Sequence, residues 1–114
     1  MVKDYISITS SISNSLTDFN KESPDLMQAF RSMSLEATKS RILDEKTKEL
    51  IALAIGVAKQ CDGCIGFHIK KLVKLGVTKE ELIEMLNVVI YMGGGPSLMY
   101  AADTMLAFEQ FSKK

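Results

Sequence analysis

The chain is expected to fold as a compact all-α domain of about six helices, on three observations. No stretch alternates apolar and polar residues as a half-buried strand would, and no internal repeat is present. Only two prolines occur, Pro24 and Pro96, each where a helix would begin. Apolar residues recur three and four apart through most of the chain, and capping residues stand between these runs. With 114 residues, 46% of them apolar, residues 1–114 suffice for one domain with its own core.

Each element has its own signal. Asp4 to Asn20 is serine-rich and carries Ile8, Ile12, Leu16 and Phe19 at helical spacing. Ser23-Pro24 opens a second helix with Leu26, Met27, Phe30 and Met33. Asp44 caps a third, which runs to about Gln60 and places acidic Glu45 near the positive end of the helix dipole. A fourth begins near Asp62 and ends at Gly76, a residue suited to the left-handed C-terminal position. Thr78-Lys79-Glu80-Glu81 reads as a capping box for a fifth helix through roughly Met92. Gly93-Gly94-Gly95-Pro96 then breaks the chain, and the sixth helix runs from Ser97 to about Phe111. That glycine run lacks the lysine and Ser/Thr of a phosphate-binding loop and follows no strand, so it reads as a tight turn.

The fifth helix is apolar nearly all the way round, from Ile83, Met85, Leu86 and Val88 to Val89, Ile90, Tyr91 and Met92. A helix of that kind is buried on several sides. An interface between copies of the chain accounts for this better than a central position within so small a monomer. Fourteen basic residues balance fourteen acidic ones, so no basic face invites nucleic acid or an anionic membrane. No apolar run reaches membrane-spanning length, and Met1-Val2-Lys3-Asp4-Tyr5-Ile6-Ser7 lacks the pattern of a secretory signal. A cytoplasmic location is the expectation, and there a close cysteine pair serves catalysis or metal binding more often than it staples a fold.

Both cysteines and the only histidine fall within Cys61-Asp62-Gly63-Cys64-Ile65-Gly66-Phe67-His68. A CxxC pair can close a disulfide, and a helix start or a nearby imidazolium favours its thiolates. With the fourth helix starting near Asp62, Cys64, His68, Leu72 and Leu75 share one face, and Lys70 and Lys74 lie opposite. His68 could then take the Cys64 proton and return one to a leaving oxygen, while Gly63 and Gly66 leave room beside the sulfurs. A lone histidine on an apolar face is usually a satisfied core residue, but the cysteines one turn before it favour function. Cys61, Cys64 and His68 could instead hold zinc, for which a carboxylate would have to be the fourth ligand. Haem attachment needs histidine directly after the second cysteine, where Ile65 stands.

Glu49 stands twelve residues before Cys61, and with Cys61-x-x-Cys64-x-x-x-His68 it resembles the signature of the alkylhydroperoxidase D-like branch of the carboxymuconolactone decarboxylase family. The flanks Thr47-Lys48-Glu49-Leu50-Ile51-Ala52-Leu53-Ala54 and Gly94-Gly95-Pro96-Ser97-Leu98-Met99-Tyr100-Ala101 are similar too, so the resemblance covers roughly residues 25–111. It implies a helical fold that assembles as a homo-oligomer, a trimer or hexamer, and a thiol peroxidase or disulfide reductase needing no cofactor and no metal. By the same resemblance Cys64 attacks a hydroperoxide and Cys61 resolves the sulfenic acid as a disulfide. A dithiol reductant such as a lipoyl-carrying protein restores the thiols, and Glu49 and His68 relay the proton. Two other expectations stand beside it: an acid–base decarboxylase using His68 and Glu49, whose branch lacks the CxxC pair, and a non-catalytic redox-sensing or zinc-stabilised oligomeric module.

One position departs from the pattern. The better-known peroxidases of the family carry histidine just before the second cysteine, where this chain has Gly63. Glu49 also sets a structural condition. On a helical wheel it falls at the edge of the apolar arc and reads as a surface glutamate. In an unbroken helix Cys61 would be about 18 Å further on. Contact requires the chain to turn back near Gln60 to Asp62, or a neighbouring subunit to supply the carboxylate.

Overall fold

The computed structural model describes residues 2–113 and contains six helices in succession. They are α1 (Tyr5–Glu22), α2 (Pro24–Thr38), α3 (Glu45–Ala58), α4 (Asp62–Lys74), α5 (Lys79–Gly93) and α6 (Gly95–Ser112). Among the described residues there is no strand. Every expected helix is present, with ends moved by no more than two residues.

The capping chemistry explains why the starts fall where they do. Asp4 accepts the backbone N–H groups of Ile6 and Ser7, and Asp44 accepts that of Thr47 at 2.8 Å. The Ser7 and Thr47 side-chain hydroxyls above all, with these backbone bonds, hold the Asp4 and Asp44 carboxyls below the usual carboxylate range. Thr78 and Glu81 bond each other's backbone N–H reciprocally at 3.1 and 2.9 Å, the expected capping box. Lys46 meets Glu81 at 2.8 Å and so ties the starts of α3 and α5 together.

The exits of α3 and α4 share one geometry. The N–H of Cys61 donates to the Gly56 carbonyl and that of Gln60 to Val57, while Val77 and Gly76 repeat the pattern onto Leu72 and Val73. Each is a Schellman closure with one residue in the left-handed region, Gly76 at φ 80° and Gln60 at φ 58°. Gln60 has no conformational excuse for this, because a side chain there costs about 1 kcal/mol that glycine avoids. The turn it makes reverses the chain and lays α4 back against α3.

The central helix is α4, which packs on α3, α6 and α1. Its Ile65, Ile69 and Leu72 are fully buried against Leu53 and Val57 of α3, Ala107 of α6 and Tyr5 of α1. The alternative of a central fifth helix is therefore overturned: α5 turns Leu82, Leu86 and Val89 inward and leaves Ile83, Val88, Tyr91 and Met92 exposed. Helix α2 buries no residue, and its Leu26, Phe30 and Met33 face outward. An open groove of about 490 Å³ runs between α3 and α5, floored by Leu50, Ala54, Met85 and Val89. Among the described residues, no helix is long and apolar enough to cross a membrane.

Candidate active site

The site grows out of the α3–α4 reversal. Cys61 is the N-cap of α4, with extended backbone, and its Sγ accepts the N–H of Cys64 at 3.1 Å. A sulfur in that place satisfies one of the free N–H groups of the helix start and feels its positive end. Cys61 and Cys64 are joined in this structure by a disulfide, with Cα atoms 5.2 Å apart. Cys64 reaches this position only because α3 offers no side chain opposite it. A β-carbon at position 56 would lie 2.8 Å from Cys64 Cβ. Gly56→Ala is therefore expected to lower stability by about 1–3 kcal/mol through overpacking against α4. Chemical denaturation measures this directly, and an unchanged midpoint and slope would show that the two helices can separate freely.

Two turns upstream on the same buried face of α3 stands Glu49, only 6% exposed. Its Oε2 lies 2.7 Å from His68 Nδ1. A carboxylate only accepts, so Nδ1 carries a proton and donates it, and Nε2 is the nitrogen left to exchange a proton with a neighbour. The Glu49 carboxylate thus fixes both the tautomer and the orientation of the imidazole. His68 itself is half-buried, its side chain 32% exposed, one helical turn beyond Cys64. The chain's own turn at Gln60 brings Glu49 to His68, so no neighbouring subunit is needed to supply the carboxylate.

Three details differ from the expectations. Glu49 is buried, because α4 folds back over the edge of the arc that an isolated α3 would expose. The core face of α4 is Ile65, Gly66, Ile69 and Leu72, so Cys64 and His68 flank the core stripe and stay half-buried beside it. Gly63 and Gly66 open no space beside the sulfurs. A β-carbon at 63 would lie 2.8 Å from Ile12 Cδ1 and one at 66 would lie 2.6 Å from Thr9 Cγ2, so α1 fills that side. Among the described residues, no three His, Cys, Asp or Glu side chains gather as metal ligands. The two sulfurs are bonded to each other, and His68 Nδ1 is occupied by Glu49.

Sequence reasoning missed a second polar cluster at the same helix start. Asp62, between the cysteines, accepts from Tyr5 OH at 2.8 Å and from Lys3 Nζ at 3.0 Å. Lys3 also donates to Asp103 of α6 at 2.8 Å and lies 4.7 Å from the centre of the Tyr100 ring. The bond to Asp103 above all, opposed by burial and supported by Asp62, holds the Lys3 ammonium well above the ordinary lysine range. Burial first, then the bond to Asp62, raises the Tyr5 phenol. Asp62 could have been flagged as a first-turn acid, but nothing local points to partners 57 and 59 residues away.

A helical domain with a CxxC disulfide at a helix start, backed by a buried carboxylate–imidazole pair, defines an all-α dithiol/disulfide protein. The chain belongs to the carboxymuconolactone decarboxylase family, whose model matches residues 24–106. Its structure is similar to the apo crystal structure of a carboxymuconolactone decarboxylase family protein from Legionella pneumophila, with TM-score 0.93 and 58% identity over 95% of this chain and 96% of that one. A Thermotoga maritima family member, described as a candidate for the antioxidative response, shares the fold at TM-score 0.77 and 22% identity, over 97% of this chain and 92% of that one. An uncharacterised protein of Cupriavidus necator is 36% identical, over 90% of this chain and 96% of its own length.

Proposed function

We propose that the chain is a thiol oxidoreductase of the alkylhydroperoxidase D-like kind, which reduces hydroperoxides through Cys64 and resolves through Cys61. The observation that carries this reading is the Glu49–His68 pair set one turn from a CxxC that closes as a disulfide. An acid–base decarboxylase would use the pair and leave the cysteines idle.

The chemistry balances on these four residues. His68 Nε2 accepts the Cys64 proton, and the thiolate attacks the terminal oxygen of a hydroperoxide. The O–O bond breaks, Cys64 becomes a sulfenic acid, and the alkoxide takes the proton back from His68 and leaves as the alcohol. Glu49 stabilises the imidazolium between those two transfers. Cys61 then attacks the sulfenic sulfur and displaces hydroxide, which leaves as water with the Cys61 proton. Two electrons have passed from the thiols to the hydroperoxide. A dithiol donor, such as a lipoyl group on a carrier protein, regenerates the thiols by two exchange steps and departs as its own disulfide.

The same reading includes a cytoplasmic homo-oligomer, a trimer or hexamer. Its self-association is supported by the outward apolar row of α2, the exposed Tyr91 and Met92 of α5, and the open α3–α5 groove. The direct test is stoichiometric. Fully reduced protein mixed with an alkyl hydroperoxide should lose both of its two thiols per molecule of alcohol formed. Added dihydrolipoamide should make the reaction turn over. Thiols that survive excess hydroperoxide would overturn the proposal.

A further inference from the structure

The residue between the two cysteines is held from outside α4, and the groups that hold it have no part in the reaction above. Asp62 Oδ1 receives both the Tyr5 hydroxyl and the Lys3 ammonium. The same ammonium bridges to Asp103, so it stands between two carboxylates that would otherwise repel each other. Gln110 of α6 locks the strap in place: its Oε1 accepts the Tyr5 N–H and its Nε2 donates to the Lys3 carbonyl, each at 2.8 Å. Tyr5 is fully buried, so the strap ends on a rigid anchor.

We propose that Lys3 and Tyr5 are positioning residues for the cysteine pair, which act through Asp62 and set how readily the disulfide is reduced. The inference rests on the thiol–disulfide reading of the site. Asp62 directly follows Cys61, whose sulfur caps α4. An uncompensated carboxylate there would compete with a thiolate for the positive helix start and disfavour it. Lys3 offsets that charge, and Tyr5 fixes the carboxylate toward α1, away from free rotation. The remaining titratable groups around this helix start are Glu49 from α3, His68 from α4, and Tyr100 and Asp103 from α6. Lys3 is the cation the structure places on Asp62.

Thiolate stabilisation favours the reduced side of the exchange in which two glutathione molecules become one glutathione disulfide and the protein disulfide becomes two thiols. The experiment measures that equilibrium in glutathione buffers for wild type, K3M, K3R, Y5F and D62N, with the melting temperature of each. K3M is expected to shift it about 3- to 10-fold toward the disulfide, Y5F about twofold the same way, and D62N toward the dithiol. K3R should restore the wild-type ratio to within about twofold, because a guanidinium can bridge the same carboxylates. In the D62N background, K3M should move the ratio by less than about twofold, the signature of action through Asp62. A purely structural strap would lower melting temperatures and leave the equilibrium in place, which would overturn the inference. An equal K3M shift in the D62N background would do the same. If wild type exchanges normally and K3M matches it, the strap's role alone is overturned. A wild-type disulfide that no thiol reduces overturns the thiol–disulfide reading and the strap's role with it.

Discussion

Cys64→Ser is expected to abolish hydroperoxide consumption, a loss of at least about 10³-fold, because an alcohol beside a neutral imidazole is a far poorer nucleophile than a thiolate. Cys61→Ser should behave differently. It should still consume one hydroperoxide per chain and stop as a sulfenic acid on Cys64, detectable as a dimedone adduct by mass spectrometry. The asymmetry follows from placement. Cys64 lies one turn before His68, where a proton acceptor waits, whereas Cys61 caps α4 and receives the Cys64 N–H at 3.1 Å. That bond favours Cys61 as the thiolate of the second step, the attack on the sulfenic sulfur. A dimedone adduct on Cys61 in the Cys64→Ser protein, with none on Cys64 in Cys61→Ser, would reverse the two roles.

Glu49→Gln should slow the oxidation of Cys64 by about 10²- to 10⁴-fold, the range for loss of a general acid–base system. The amide oxygen can still accept the His68 Nδ1 proton, so the ring stays oriented and the near-isosteric side chain keeps the site packed. What disappears is the charge that stabilises the imidazolium. His68→Ala should cost a similar factor, and the double variant little more than either, since the two residues act as one unit. Rates of thiol loss under excess hydroperoxide measure all three. A Glu49→Gln rate within about twofold of wild type would leave Glu49 a structural partner of His68 and nothing more.

Much of this arrangement was legible in the sequence, for local reasons. Asp4, Asp44, Thr78 with Glu81, Pro24 and Gly76 act within a few residues of themselves, so a linear reading finds them and the helices they delimit. The spacing of Cys61, Cys64 and His68 lies within two turns of one helix and was equally readable. Glu49 was named only through the family resemblance, and its burial was not readable, because that depends on the chain reversing at Gln60. Glutamine in the left-handed region carries no compositional signal, and the close approach at Gly56 shows only once Cys64 is opposite it. The supposed room at Gly63 and Gly66 failed for the same reason: α1 occupies it, and no periodicity reports which helix crosses which. Lys3, Tyr5 and Asp103 were invisible in the sequence because their contacts to the CxxC turn or to each other span half of the chain or more.

The α3–α4 hairpin also bears on the order in which the molecule comes together. Glu49 and His68 are 19 residues apart, and the cysteines three, so the groups of the candidate site are joined by short loops with little closure entropy. Lys3 and Asp103 are 100 residues apart, and Gln110 reaches back 107 to the Lys3 carbonyl. Contacts that local form early and those that distant form late. The hairpin can therefore bring sulfur to sulfur while the first and last helices are still undocked. In a chain emerging into an oxidising moment, the cysteines can pair before the strap that holds Asp62 has closed over them.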